Sequence, residues 1–162
     1  MAEAQPIVIY TDGSALGNPG PGGYGILMLY KNQKKELSQG YRLTTNNRME
    51  LLAIIVALET LKVSGRNVMI YSDSKYVIDS VVKGWVFGWV KKGFKGKKNA
   101  DLWRRFLKIH PKNKVKFTWV KGHANIPGNE RVDALAVAAS NNKKSHLVDE
   151  GYEAEANKDE LF

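Results

Sequence analysis

The chain has 162 residues, 43% of them apolar, and a formal net charge of +9. That length suits one domain with a sizeable core, and the mixed composition argues against disorder. There is no cysteine, so a disulfide framework and a thiolate-held zinc or iron–sulfur site are excluded.

Ile7 to Thr11 is a short β-branched run that predicts a buried strand. Gly13 to Gly23 is rich in Gly and Pro and predicts a turn or loop. Tyr24 to Tyr30 and Glu36 to Leu43 follow as two strands around the polar turn Lys31-Asn32-Gln33-Lys34, completing an antiparallel meander. From Asn47 to Lys62, Leu51, Ile54, Ile55, Leu58 and Leu61 recur with helical spacing. Gly65 ends that helix, and Asn67 to Ser72 is the next strand, so the return is parallel. Tyr76 to Val82 predicts a short helix, and an aromatic, basic stretch runs from Trp85 to Lys98. Asp101 to Ile109 predicts a helix closed by Pro111, and Val115 to Val120 alternates like a strand. Glu130 to Ser140 is an Ala-rich helix. The predicted fold is α/β: a five-stranded mixed sheet, antiparallel meander plus parallel strands, flanked by helices.

Charge is unevenly spread. Residues 143–162 hold three Lys and six Asp or Glu, a net −3, which leaves +12 on residues 1–142. The last segment therefore reads as a flexible acidic tail. A basic body is expected to meet a polyanion with salt-dependent affinity, although solubility alone also explains such a charge. No apolar run approaches the ~20 residues of a bilayer span, and the first residues carry no secretory pattern. The expected location is cytoplasmic, with no membrane partner.

Four acids occupy marked positions. Asp12 follows the first strand and Asp73 the fourth, where ligand sites of such sheets favour the strands' carboxyl ends. Glu50 lies in the first turn of an apolar helix, and Asp133 opens the last helix. Each has a structural explanation. Asn47 and Glu50 fit an N-cap and its third-position partner, Asp73 could cap the helix starting at Ser74, and Asp133 could be a solvated first-turn acid. Asp12, between a buried strand and a Gly turn, is costly unless it meets a cation or backbone donors. Taken jointly, four carboxylates at one sheet edge suggest Mg²⁺, which takes hard oxygen ligands. Two such ions ~3.5–4 Å apart can activate a water and stabilise the departing oxygen of a phosphodiester. Without metal the four would raise each other's pKa.

Thr11-Asp12-Gly13-Ser14, Asn46-Asn47-Arg48-Met49-Glu50, Asp73-Ser74, and Val120-Lys121-Gly122-His123 followed by Asn129-Glu130-Arg131-Val132-Asp133 resemble type 1 ribonuclease H in its bacterial form. The likeness runs from about Ile7 to Ser140 with elements in order. It implies a ribonuclease H catalytic domain over residues 1–142, acting as a monomeric endonuclease. The implied reaction is two-metal-ion hydrolysis of the RNA strand of an RNA–DNA hybrid duplex, leaving 5′-phosphate and 3′-hydroxyl ends. By position it makes Asp12, Glu50, Asp73 and Asp133 the metal ligands, for two Mg²⁺ with substrate bound and Mn²⁺ as a substitute. His123 becomes an auxiliary proton donor or product-release residue, where position alone allows a surface histidine without a task.

A hybrid is told from other duplexes by 2′-hydroxyls on one strand only. The amides Asn18, Asn46 and Asn47 can read them, and also suit ordinary turn and cap chemistry. The resemblance places Thr45 on a DNA-strand phosphate, Trp85 on a deoxyribose, and a basic protrusion with Lys91, Lys92, Lys95, Lys97 and Lys98 on the DNA strand. Trp85 and Trp89 share helical spacing and could equally be core. The protrusion is shorter than in the best-known bacterial members. Lys75 stands where Gln commonly follows the Asp-Ser pair, so a minor-groove contact becomes a phosphate contact. Two other readings stay open: a non-catalytic hybrid-binding module, and a different nuclease of the same superfold such as an exonuclease or integrase core.

Overall fold

The structure is a computed structural model that describes residues 5–122 and 125–158. Five strands form one sheet in the order β3-β2-β1-β4-β5. They are β1 (Ile7–Ala15), β2 (Gly20–Tyr30), β3 (Gln33–Thr44), β4 (Asn67–Ser72) and β5 (Lys114–Trp119). β1 to β3 pair antiparallel, and β1, β4 and β5 run parallel, which is the expected mixed sheet. Among the described residues six α-helices accompany it: α1 (Asn46–Thr60), α2 (Lys75–Val82), α3 (Trp85–Lys91), α4 (Ala100–Ile109), α5 (Pro127–Asn141) and α6 (Glu150–Ala156).

The loop expected over Gly13 to Gly23 shrinks to a turn at residues 16–19. β1 continues to Ala15 and β2 begins at Gly20, with Asp12 opposite Gly25 and Ser14 opposite Gly23. These glycines serve helix packing rather than a turn. A Cβ on Gly25 would stand 2.3 Å from the Val132 carbonyl oxygen, and one on Gly23 would stand 2.9 Å from the Ala139 Cβ. Bare backbone lets α5 lie directly on the sheet, which carries Asp133 toward β1. Gly13 does the same for α1: a Cβ there would meet the Glu50 nitrogen at 2.4 Å.

On the α1 side, Ile9, Ile26, Val68 and Ile70 of the sheet pack against Met49, Leu51, Ile54, Ile55 and Leu58 in one core. Trp103 and Phe106 of α4 close it, fully buried and edge-on to each other. Trp89 joins this aromatic group, with its ring centroid 6.0 Å from that of Trp103. Trp85, four residues earlier, stays 48% exposed, so the pair divides between core and surface. Phe94 anchors the basic turn after α3, buried at a positive φ of 59°.

The segment beyond Asn142, expected as a flexible tail, is built into the fold through residue 158. Leu147 bridges Tyr41 on the β3 edge, donating its N–H to the Gly40 carbonyl and accepting from the Arg42 N–H, both at 3.0 Å. Asp149 is buried, caps α6 by accepting from the Tyr152 N–H, and takes bonds from Arg48 Nε at 2.8 Å and Thr44 Oγ1 at 2.7 Å. Of the acids that suggested solvation, Asp149 is held by the buried Arg48 and Glu153 by Arg42 at 2.7 Å, both partners remote in sequence. Residues 159–162 lie outside the described residues.

Candidate active site

Asp12 stands within β1, where α1 comes closest. The Gly13 N–H donates to Asp12 Oδ1 and to Glu50 Oε1, each at 2.9 Å, tying strand and helix together through two carboxylates. Asp73 follows β4 on the parallel neighbour of β1. Ligand oxygens of Asp12, Glu50 and Asp73 all lie within 4.8 Å of one another. Asp133, on the second turn of α5, faces Asp12 across the same open cleft of ≈ 590 Å³.

The local structural explanations for three of these acids do not hold. Thr45, not Asn47, caps α1, its Oγ1 accepting from the Arg48 N–H at 3.2 Å, so Glu50 is no capping partner. Ser74 caps α2 by accepting from the Val77 N–H, which removes that role from Asp73. α5 starts at Pro127, which puts Asp133 beyond the first turn where an acid complements the helix dipole. What the four share is the cleft.

Burial pushes the Asp12 carboxyl up to about 7; Asp73 and Asp133 add to the rise, while bonding with Glu50 and the Gly13 N–H opposes it. Glu50 is raised well above the usual carboxylate range, first by burial and then by the charges of Asp12 and Asp73. One of its oxygens, Oε2, is buried without a hydrogen-bond partner among the described residues. An orphaned buried oxygen costs ~1–3 kcal/mol, more when charged. A cluster of hard oxygen donors that is penalised when ionised, with one oxygen unsatisfied, is compatible with a divalent metal site.

Around the cleft, Asn46, Asn47 and Lys75 line the walls. Asn18 Oδ1 accepts from the Asn46 N–H at 2.9 Å, so the first loop braces the start of α1. A second, neighbouring cleft of ≈ 920 Å³ is lined by Asn18, Thr45, Asn47, Lys95, Lys97 and Lys98, among others. Asn47 borders both clefts, so the acid site and the lysine-lined cleft meet at this residue. Lys91 and Lys92 are exposed at the end of α3, and Trp85 carries the Lys83 ammonium 5.2 Å from its ring centroid. His123 lies outside the described residues.

Two features escaped the sequence reading. Arg48 is buried between Asp149 and Asp101, with Nη1 and Nη2 donating to Asp101 at 2.9 and 2.7 Å. No local signal marks it, because both partners are remote in sequence. Trp119 ends β5 with its indole N–H donating to the Asp73 carbonyl at 3.1 Å. Alternation in the strand gave it a place but no task.

Comparison with known proteins bears on the same residues. The family model described as RNase H matches residues 4–141. A ribonuclease H of Desulforamulus reducens is 58% identical over 139 residues, covering 83% of this chain and 87% of that one. Among solved structures, LC9-RNase H1, described as a type 1 RNase H with the type 2 active-site motif, superposes with a TM-score of 0.78 at 32% identity. That match covers 96% of this chain and 82% of that one. LC11-RNase H1, solved in complex with an RNA/DNA hybrid, gives a TM-score of 0.63 at 28% identity, covering 86% of this chain and 99% of that one.

Proposed function

Because the chain belongs to the RNase H family, we propose that it is a magnesium-dependent endonuclease that hydrolyses the RNA strand of RNA–DNA hybrids. The observation that carries this reading is the gathering of Asp12, Glu50 and Asp73 within 4.8 Å, with Asp133 on the same cleft. These four would hold two Mg²⁺ when substrate is bound, with Mn²⁺ able to replace them. Held there, the ions would supply activation of the attacking water and stabilisation of the leaving 3′-oxygen, which would give 5′-phosphate and 3′-hydroxyl ends.

The chain's own residues bind and orient. The Gly13 N–H holds one oxygen each of Asp12 and Glu50, leaving their remaining oxygens for the cation. Asn18, Asn46 and Asn47 present amide donors and acceptors to the 2′-hydroxyls of the minor groove, the feature that separates RNA from DNA. Thr45 receives a DNA-strand phosphate at the rim of the second cleft, Trp85 packs on deoxyribose, and Lys91, Lys92, Lys95, Lys97 and Lys98 follow the phosphates. Lys75 meets a phosphate of the substrate. His123 serves as proton donor or product-release group. The protein works as a monomer in the cytoplasm.

A labelled RNA–DNA hybrid, double-stranded RNA and single-stranded DNA, incubated while Mg²⁺ or Mn²⁺ is titrated from zero, test this directly. Internal cuts in the hybrid's RNA strand alone, only with metal, are the expected result. Metal-independent retention of the hybrid without cutting would reassign the chain as a binding module, and terminal trimming would make it an exonuclease.

The basic turn yields a separate expectation. Replacing Lys95, Lys97 and Lys98 by Ala should reduce the slope of log affinity against log salt by about 2–3, with the loss similar across hybrid sequences. Fluorescence anisotropy in EDTA measures it. An unaltered slope would remove this turn from the phosphate path.

A further inference from the structure

Trp119 sits at the carboxyl end of β5, beside the acid cleft, and keeps 43% of its surface exposed. Two contacts fix what it does there. Its indole N–H donates to the Asp73 carbonyl, locking the ring against the segment that carries one of the clustered acids. Its ring face carries the Lys75 ammonium, 4.6 Å from the centroid. Lys75 is the exposed first residue of α2 and lines the cleft that holds the four carboxylates.

A flexible ammonium at the mouth of an acidic cleft is drawn inward by Coulomb attraction, where it would compete with a divalent cation for the same oxygens. An indole face attracts the ammonium through its quadrupole and gives it a defined seat outside the cluster. The backbone reinforces the arrangement: Ser72 and Trp119 are partners in register, and the Val120 N–H donates to the Ser72 carbonyl at 2.9 Å. The platform and the lysine therefore spring from two adjacent strand ends of fixed separation.

We propose that Trp119 is a positioning residue: it seats the Lys75 ammonium at the cleft mouth, keeps it out of the carboxylate cluster, and presents it to a phosphate of the substrate. This deepens the hybrid-nuclease reading and rests on it. Lys75 then contributes charge to the substrate without displacing the metal.

The test is Mn²⁺ binding to the substrate-free protein by calorimetry, for the wild type, Trp119→Leu, Trp119→Phe, Lys75→Met and the Trp119→Leu/Lys75→Met double variant. Trp119→Leu should weaken Mn²⁺ binding ~3–10-fold, because the unseated ammonium moves inward. Trp119→Phe, which keeps an aromatic face without the N–H, should stay within ~2-fold of the wild type. Removing the lysine as well should restore the affinity of Lys75→Met, a rescue that a poorly folded protein cannot give. In EDTA, Lys75→Met and Trp119→Leu should each lower the salt slope of hybrid binding by about one, and the double variant by no more. A double variant as weak for Mn²⁺ as Trp119→Leu would overturn the proposal, since the indole would then act through the Asp73 carbonyl. So would a Trp119→Leu protein with unchanged affinity. Absence of Mn²⁺ binding in the wild type would overturn the metal reading and this proposal together, whereas wild-type binding with no rescue overturns the proposal alone.

Discussion

Asp12→Asn is expected to abolish hybrid cleavage, by ~10²–10³-fold or more, while leaving hybrid binding in EDTA largely intact. A loss of that size corresponds to about 3–4 kcal/mol of transition-state stabilisation, the scale of removing one strong electrostatic element from a site. The same substitution should stabilise the metal-free protein at neutral pH. Burial raises the Asp12 carboxyl to about 7 in the fold, against an unfolded value near ~3.9. A carboxyl raised on folding contributes stability below its unfolded pKa, and that contribution fades as pH climbs through the folded value. Between about pH 4 and 7 the metal-free wild type thus loses stability that an uncharged Asn retains. The gap should reach on the order of 2 kcal/mol at pH 7, several degrees in Tm, and close toward pH 4. Saturating metal should narrow it from the other side, because a cation favours the ionised form of the wild type. Thermal melts across pH, with EDTA and with metal, read all three. A variant less stable than wild type at pH 7 in EDTA would contradict this account, and full activity would defeat the site assignment.

This opposition between stability and function explains which parts of the molecule were legible in sequence. Asp12, Glu50 and Asp73 sit in short motifs, with Asp73 just past β4 as expected but Asp12 inside β1 rather than after it, and Ile7 to Thr11, Asn67 to Ser72 and the Leu51-to-Leu61 spacing name their elements through hydrophobic pattern. Gly13 to Gly23 misled for a physical reason. Glycine is read as a turn former, but Gly23 and Gly25 are small because α5 lies against them, and Gly13 because α1 does. Close approach between elements distant in sequence leaves no periodic trace. The C-terminal segment hid for the same reason: Asp149 and Glu153 look solvated until Arg48 and Thr44 are placed beside the first and Arg42 beside the second. Trp119 shows a third case, where strand alternation is satisfied while the side chain takes up two contacts near the cleft.

The Arg48 clamp gives the largest expected effect on stability. Asp149→Ala removes a buried carboxylate that accepts from Arg48 Nε and Nη2 at 2.8 and 2.9 Å. Arg48 is only 3% exposed, so it cannot turn to water for replacement bonds. Breaking a buried pair on one side costs ~3–5 kcal/mol, and the surviving bidentate contact to Asp101 holds the loss near the lower end. Thr44 Oγ1 and the Tyr152 N–H also lose their acceptor, adding to the cost. A Tm lower by ~6–12 °C follows for a chain of this size. Asp101→Ala should cost much less, about 1 kcal/mol, because its side chain is 47% exposed and Asp149 still holds the guanidinium. The difference between the two variants separates a buried clamp from a general charge effect, and equal losses would sink the clamp. Arg48 stands two residues before Glu50 and next to Asn47, so loosening it also loosens the turn that borders both clefts. Asp149→Ala should therefore raise the Michaelis constant for hybrid at temperatures where the variant is still fully folded. Faster amide exchange at Leu147 and Arg42, whose bonds tie the C-terminal segment to β3, would accompany it.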